Sequence, residues 1–436
     1  MKGNDAMEKL ISLCKRRGFI FPSGEMYGGL QGFWDFGPLG VELKNNIKNS
    51  WWKRFVQERG DVVGLDSAII TNPKVWEKSG HVEGFQDQLV ECKKCHHRFK
   101  ADDLDSKKCP ECGGEFTEAR QFNTMFKTFV GPTEDSAATA YLRPETAQNI
   151  FVNFENVQQV MRLKAPFGIA QIGKAFRNEI TPGNFIFRSR EFEQMEIEYF
   201  VETKDDDTSF KEWVENSYQW FVELGMNEKN LQKRKQEKDE LAHYAKETVD
   251  IEYKFPFDKG FAELMGIANR TDYDLKAHSI TYKEEGKEKK LSVIEPSAGV
   301  DRAALAFLLD AYEEVEGGRT TTTESNKEKE VVLRLHKDLA PIKVAILPLS
   351  KKEKLSGLAK EIAGSLRKEF VTQYDEVSSI GRRYRRQDEI GTPYCVTVDF
   401  DSLEDKKVTI RDRDTMKQDR IAIDELTTYL KEKLSS

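Results

Sequence analysis

Two runs near the middle of the chain, Ile169-Ala-Gln-Ile-Gly-Lys-Ala-Phe and Glu191-Phe-Glu-Gln-Met-Glu-Ile-Glu-Tyr-Phe, face each other across a loop at Thr181-Pro182-Gly183-Asn184. They predict two strands joined by a turn. In the second run Phe192, Gln194, Glu196 and Glu198 alternate with Glu193, Met195, Ile197 and Tyr199. Successive strand side chains point to opposite faces, so one face carries more polar groups than packing needs.

The 436 residues are too many for one ordinary core and predict two or three domains. Hydrophobic residues make up 38% and charged residues 33%, the balance of a globular protein. No stretch approaches the run of about 18 apolar residues that a membrane helix needs, so no membrane partner is expected. Lys9, Lys15, Arg16 and Arg17 interrupt the N-terminus, which reads as lacking a signal peptide and predicts a cytoplasmic protein. A formal net charge of −7 argues against a protein that coats nucleic acid nonspecifically, and DNA is not an expected partner. It leaves room for RNA held by local basic patches.

Along the chain, Pro38 opens a stretch with Leu43, Ile47, Trp51 and Phe55 at steps of four, a helix with one apolar face. Residues 204–248 are strongly charged and predict exposed helix, and the thread Gly317 to Glu330, with four consecutive threonines, predicts a linker. Beyond it, Ile342-Lys-Val-Ala-Ile-Leu, a helix carrying Leu355, Leu358, Ile362 and Leu366, then Val396-Thr-Val-Asp-Phe and Val408-Thr-Ile-Arg alternate as in an α/β domain.

Three arginines flank the central hairpin, in Phe176-Arg177-Asn178-Glu179 and in Phe187-Arg188-Ser189-Arg190-Glu191-Phe192. Guanidinium forks suit a polyphosphate; the same charges would also serve a solvated hairpin by pairing among themselves. Downstream, Glu295-Pro-Ser-Ala-Gly-Val-Asp-Arg302 leads small residues into an apolar helix, where a ligand can approach the backbone. An ordinary strand–turn–helix junction capped by Ser297 would read the same way.

In this order, the Pro38 region, the Arg177–Phe192 hairpin and Gly299-Val-Asp-Arg302 resemble the three signature motifs of class II aminoacyl-tRNA synthetases. Leu142-Arg-Pro-Glu-Thr-Ala-Gln148, Phe192-Glu-Gln-Met-Glu196, Phe261-Ala-Glu-Leu-Met-Gly-Ile-Ala-Asn-Arg270 and Glu295-Pro-Ser-Ala-Gly299 look like the dimeric glycyl-tRNA synthetases within that class. The match runs from about Gly18 to the C-terminus.

The resemblance implies an α+β catalytic domain over residues 1–335, an antiparallel sheet flanked by helices with the Pro38 region building a homodimer interface. It implies a C-terminal α/β anticodon-binding domain at 340–436, while composition marks a four-cysteine zinc-ribbon-like insertion at 91–115 and a charged helical insertion at 200–250. The implied reaction joins glycine to tRNA(Gly) at the cost of ATP, through glycyl-adenylate and pyrophosphate. Arg177, Arg302 and Glu263 would be the catalytic set: Arg177 on the α-phosphate, Glu263 on Mg²⁺ bridging the phosphates, and Arg302 sandwiching adenine with Phe192. Arg188 or Arg190 would hold the far phosphates. Asn178, Glu179, Phe187, Ser189, Glu191, Leu264, Gly299, Val300 and Asp301 complete the implied ATP site.

Glycine's ammonium would meet carboxylates drawn from Glu145, Glu193 and Glu295, with Ser297 close by. Arg98, Phe192, Gln194, Met195, Glu196, Pro296, Ala298 and Gly299 complete that implied site. With no side chain to recognise, such a pocket discriminates by crowding out larger ones. No side chain in the motifs stands out as a general base. A synthetase for another small amino acid should lack this carboxylate set; a noncatalytic RNA-binding relative should have lost Arg177 or Arg302, and both are present.

Cys92-x-x-Cys95 and Cys109-x-x-Cys112 give four thiolates at structural zinc spacing, with His96 and His97 spare. Arg98 sits on the same module, where the resemblance has it reach substrate or the tRNA acceptor end. In the C-terminal domain Arg382-Arg-Tyr-Arg-Arg386 suits RNA phosphate contact and base stacking.

Overall fold

In the computed structural model the described residues are 3–104, 106–134, 138–257, 260–317, 319 and 329–435. The hairpin lies inside a seven-stranded sheet. Its strands are β1 (Val62–Gly64), β2 (Phe167–Phe176), β3 (Glu191–Glu202), β4 (Leu231–Lys235), β5 (Glu247–Tyr253), β6 (Ala262–Thr271) and β7 (Leu291–Gly299), side by side in the order β4-β5-β6-β7-β3-β2-β1. All pairings are antiparallel except that of β2 with β1. The hairpin register runs from Phe176 opposite Glu191 to Phe167 opposite Phe200. On the other edge of β3, Gln194 faces Gly299, Glu196 faces Ser297 and Tyr199 faces Ile294.

One face of this sheet is closed by α1 (Pro38–Trp52), α2 (Asp206–Glu223) and α3 (Val300–Ala311). Met195, Ile197, Ile267 and Ala298 meet Trp51, Trp213, Trp220 and Phe307 there in one buried cluster. The α1 residues Leu43, Ile47 and Trp51 are buried as their spacing requires, with Phe55 in the turn beyond. Pro38 supplies the first helical position, where its missing N–H costs nothing. Gly40 lets the helix run against Phe19, whose carbonyl oxygen would lie 1.9 Å from any Cβ placed there. The opposite face is half covered, where its own Phe167, Ile169, Phe200 and Val293 pack against Ile150, Phe151 and Phe154; the other half is open.

The stretch 200–250 differs from the charged helical insertion expected of it. Its first residues finish β3, α2 buries Phe210, Trp213, Ser217, Trp220 and Phe221, and β4 and β5 extend the main sheet. Charge misleads here because β4 is an edge strand, where lysines guard the unpaired backbone.

Beyond this sheet and its helices, Tyr312–Val315 pairs with Glu330–Leu333. Of the expected linker between them, residues 318 and 320–328 lie outside the described residues. A second sheet follows from β8 (Val344–Pro348), β9 (Thr372–Tyr374), β10 (Tyr394–Val398), β11 (Lys407–Asp412) and β12 (Gln418–Ala422), in the order β9-β8-β10-β11-β12. Its first three strands are parallel, and Val344, Ile346, Val396, Leu355, Ile362 and Leu430 form its core. This is the predicted α/β unit.

Candidate active site

The open half of the sheet carries a cleft of about 370 Å³ lined by β3, β6, β7, the hairpin loop and the start of α3. Strand alternation selects its walls. Phe192, Gln194 and Glu196 of β3 face it, as do Glu295 and Ser297 of β7 and Glu263 of β6. Met195, Leu264, Ala298 and Val300, expected at the substrates, point instead into the core. Pro296 alternates away with them and does not line the cleft.

At one end the cleft is acidic. Ser297 Oγ donates to Glu196 Oε1 at 2.7 Å, and the Thr146 hydroxyl donates to the other Glu196 oxygen. Gln194 accepts from the Thr146 backbone N–H at 3.2 Å. Arg270 donates to Glu295 Oε1 at 2.8 Å and clamps Asp274 with bonds of 2.7 and 2.9 Å. Tyr244 lies against the Arg270 guanidinium, 3.8 Å from ring centroid to carbon. Glu145 meets His81 at 3.2 Å. Burial works to raise the Glu145 carboxyl, yet His81, Arg270 and Arg177 hold it well below the carboxylate range. For Glu295 burial wins against Arg270; with Glu196 and Glu145 adding to the rise, its carboxyl is pushed up to about 8. This end presents closely set carboxylates, the surroundings a small ammonium group requires.

The other end is cationic. Arg177 is anchored through Nε to the Pro144 carbonyl at 3.0 Å and stands 5.5 Å from the Phe192 ring. Arg302 lies 4.4 Å over Phe187, not over Phe192, and bonds Glu263 Oε2 at 3.0 Å. Arg188 and Ser189 line the cleft, Arg188 reaching Asp103 at 3.3 Å, and so does Glu179. Arg190 is turned away, bound to the carbonyls of Glu179 and Gln31 at 3.0 and 2.7 Å. Asn178 and Glu191 do not line the cleft either. Gly299 and Asp301 do, but Asp301 is tied to Lys44 at 2.9 Å and to the Glu193 backbone N–H at 2.8 Å, which staples α1 and α3 to β3.

Glu193, expected among the ammonium ligands, is on the wrong face. It pairs with Lys44 and Lys48 at 3.0 Å each, behind the sheet. Arg98 is likewise absent from the cleft; it is exposed and bonds Glu91 at 3.0 Å. The residues that sequence reasoning missed come from His81, Asp274 and the 236–250 stretch: Gln236, Tyr244, Thr248 and Asp250 all line the cleft. Burial pushes the Asp250 carboxyl up to about 6.

The cysteine module is a three-stranded sheet, Arg98–Lys100, Gln86–Glu91 and Arg120–Asn123, with the knuckles beside it. Cys92 and Cys112 sulfurs are 3.4 Å apart, those of Cys95 and Cys109 3.7 Å, and all four lie within 4.8 Å of one another. Four thiolates at about 2.3 Å from one tetrahedral ion require sulfur separations of roughly 3.8 Å, so the set fits a structural metal. Gly114 leaves room for it: a Cβ there would come within 2.8 Å of Cys92 Sγ. His96 and His97 pair with Glu91 and Glu111 instead.

The basic run Arg382–Arg386 is mostly spent on intramolecular partners. Arg383 is buried and donates to the Pro348 carbonyl at 2.5 Å, Arg385 bonds Glu330 and Arg386 bonds Asp375; Arg382 is exposed.

The family described as tRNA synthetase class II core domain (G, H, P, S and T) matches residues 126–312, and that described as anticodon binding domain matches residues 343–433. The glycine–tRNA ligase of Thermobifida fusca (strain YX) is 52% identical in an alignment covering 99% of either chain. That of Alkaliphilus oremlandii (strain OhILAs) is 53% identical with both chains covered in full, and that of Caldanaerobacter subterraneus subsp. tengcongensis is 54% identical over 98% of each. The chain belongs to the glycine–tRNA ligase family of class II aminoacyl-tRNA synthetases.

Proposed function

We propose that this chain activates glycine with ATP and transfers the glycyl group to the 3′-terminal adenosine of tRNA(Gly). The observation that carries this reading is one cleft holding a buried carboxylate set at one end and Arg177 and Arg302 at the other. Glycine's ammonium sits among Glu145, Glu196 and Glu295, which points its carboxylate toward Arg177. The carboxylate attacks the ATP α-phosphate, forming an anhydride bond and expelling pyrophosphate; the tRNA ribose hydroxyl then attacks the adenylate carbonyl and releases AMP. Arg177 offsets charge that develops on the α-phosphate. Arg188, the one of the two candidate arginines lining the cleft, takes the far phosphates. Arg302 leaves Phe187 to cover adenine against Phe192. The rest of the work is positioning.

The donor set fits Mg²⁺ at the phosphates. Glu263 and Asp250 flank Gly266, with carboxylate oxygens 3.6 and 3.7 Å from where its Cβ would stand, and Mg²⁺ takes one or two carboxylates plus substrate oxygens. When bound, the ion would neutralise phosphate charge. Zinc held by Cys92, Cys95, Cys109 and Cys112 would be structural, since four thiolates leave no open position. A homodimer through the α1 region is part of this reading; Val41 on that helix and Met26, Tyr27 and Leu30 ahead of it in the chain expose apolar side chains. Among the described residues no helix is long and apolar enough to cross a membrane; a cytoplasmic location goes with the synthetase role.

Charging assays with labelled glycine and tRNA(Gly) test the reading. Glycyl-tRNA formation dependent on ATP and Mg²⁺ is expected; folded protein that forms none would refute it.

A further inference from the structure

Below the ammonium pocket lies a carboxyl group that the reaction does not use. Glu198 follows Glu196 on the same face of β3, one step deeper, and the pairings of Glu196 with Ser297 and Tyr199 with Ile294 set it opposite Glu295. Carboxylate oxygens of Glu196, Glu198 and Glu295 all lie within 4.8 Å of one another. Glu198 is fully buried and neither of its oxygens has a hydrogen-bond donor. Every neighbour is better supplied: Glu196 accepts from Thr146 and Ser297, and Glu295 from Arg270.

The groups facing Glu198 are Glu196 on its own strand, Glu295 on β7, Arg270 on β6 and Asp274 from the following helix; its register partner on β2 is the apolar Ile169. One guanidinium therefore serves a crowd of carboxyls, and an anion without a donor is the costliest member to keep. Burial first, then Glu295, drives the Glu198 carboxyl well above its ordinary range.

We propose that Glu198 is a positioning residue for the substrate's amine: held as a neutral carboxylic acid, it donates its proton in a hydrogen bond to Glu295 from beneath. This rests on the reading of the pocket as glycine's. Arg270 occupies Glu295 Oε1, so the Glu198 hydroxyl is directed to the other oxygen, and Glu295 is held from two sides in its charged form, the form that receives the ammonium. Glu198 itself never touches substrate.

The test compares Glu198→Gln, whose amide N–H still donates, with Glu198→Leu, which has a similar volume and no donor. The KM for glycine in ATP–pyrophosphate exchange should rise about tenfold in E198L, with the KM for ATP unmoved, as expected for one lost bond. E198Q should restore it to within about threefold of the parent. Exchange defects of equal size in both variants, or in neither, would overturn the proposal.

Two readouts need no activity. The infrared carbonyl band of protonated carboxyls at pH 7.5, to which Glu295 also contributes, should be weaker in E198Q than in the parent; bands of equal strength would overturn the proposal. A carboxyl raised in the folded state costs stability as pH climbs above its unfolded value near 4.5. E198Q should therefore melt no lower than the parent at pH 7.5, its advantage shrinking toward pH 5; a clear loss of Tm at pH 7.5 would mean that Glu198 is an anion. If the parent shows no glycine-dependent exchange but both physical readouts hold, the proposed function fails and the protonation of Glu198 stands.

Discussion

Arg270 and Glu295, both buried, are joined at 2.8 Å across neighbouring strands of the sheet, and the same guanidinium clamps Asp274. The bond sets where Glu295 stands in the cleft. Replacing Arg270 with Leu leaves two buried carboxyls without their cation, a change that costs about 3–5 kcal/mol. Arg270→Leu is expected to lower the denaturant midpoint accordingly and to raise the KM for glycine far more than that for ATP. A variant with parental stability and glycine KM would remove Arg270 from this account.

Glu295 also predicts a pH dependence. Its carboxyl is raised to about 8, so in the free protein it gains its charge as pH rises through that value. Charge on Glu295 favours the ammonium, and kcat/KM for glycine should climb between pH 6 and 8.5 as free-enzyme groups dictate. For stability the sign is opposite: a raised carboxyl weakens folding as pH rises from its ordinary 4.5 toward 8. Glu145, held low, contributes stability above pH 4.5 that is lost as pH falls. A flat glycine profile over this range would contradict the assignment.

Ser297 lies between Glu196 and Gln194, with bonds of 2.7 and 3.5 Å, and in the proposed glycine pocket it would crowd a substrate methyl. A methyl group is worth about 1–3 kcal/mol in such discrimination. Ser297→Gly should raise kcat/KM for alanine by roughly tenfold while weakening that for glycine. Competition assays with both amino acids measure the ratio directly.

In the C-terminal domain the arginines of one helix, Ile380–Glu389, should separate. Arg383 is buried and satisfies the carbonyls of Pro348 and Asp375, so Arg383→Ala should cost about 2–3 kcal/mol. Arg382 is exposed, and Arg382→Ala should leave stability within about 0.5 kcal/mol. Chemical denaturation distinguishes them; any effect of R382A belongs in tRNA affinity.

Much of the site was legible because it is built from short contiguous runs. Phe192, Gln194 and Glu196 share a face by alternation alone, and Glu295 with Ser297 follows the same rule on the facing strand. The misassignment of Glu193 contradicts that same alternation, which groups it with Met195 and Ile197, and the structure puts it behind the sheet with Lys44. His81 and Tyr244 were not legible, because each meets a residue of the site, Glu145 or Arg270, from a separate segment through a tertiary contact. Within the 204–248 stretch, residues after 230 were misread as helix because Lys, Arg and Glu favour helices in isolation, whereas here they belong to two strands added to the sheet. The run Arg382–Arg386 looked like an RNA surface because charge in sequence does not reveal which guanidiniums a fold turns inward.

The central claim is that one cleft selects glycine and couples its carboxylate to ATP. Amino-acid-dependent ATP–pyrophosphate exchange, run with glycine, alanine, serine, threonine and proline, tests it most directly. The account predicts exchange with glycine alone; exchange with another amino acid in preference to glycine, or with none from folded protein supplied with Mg²⁺, would contradict it.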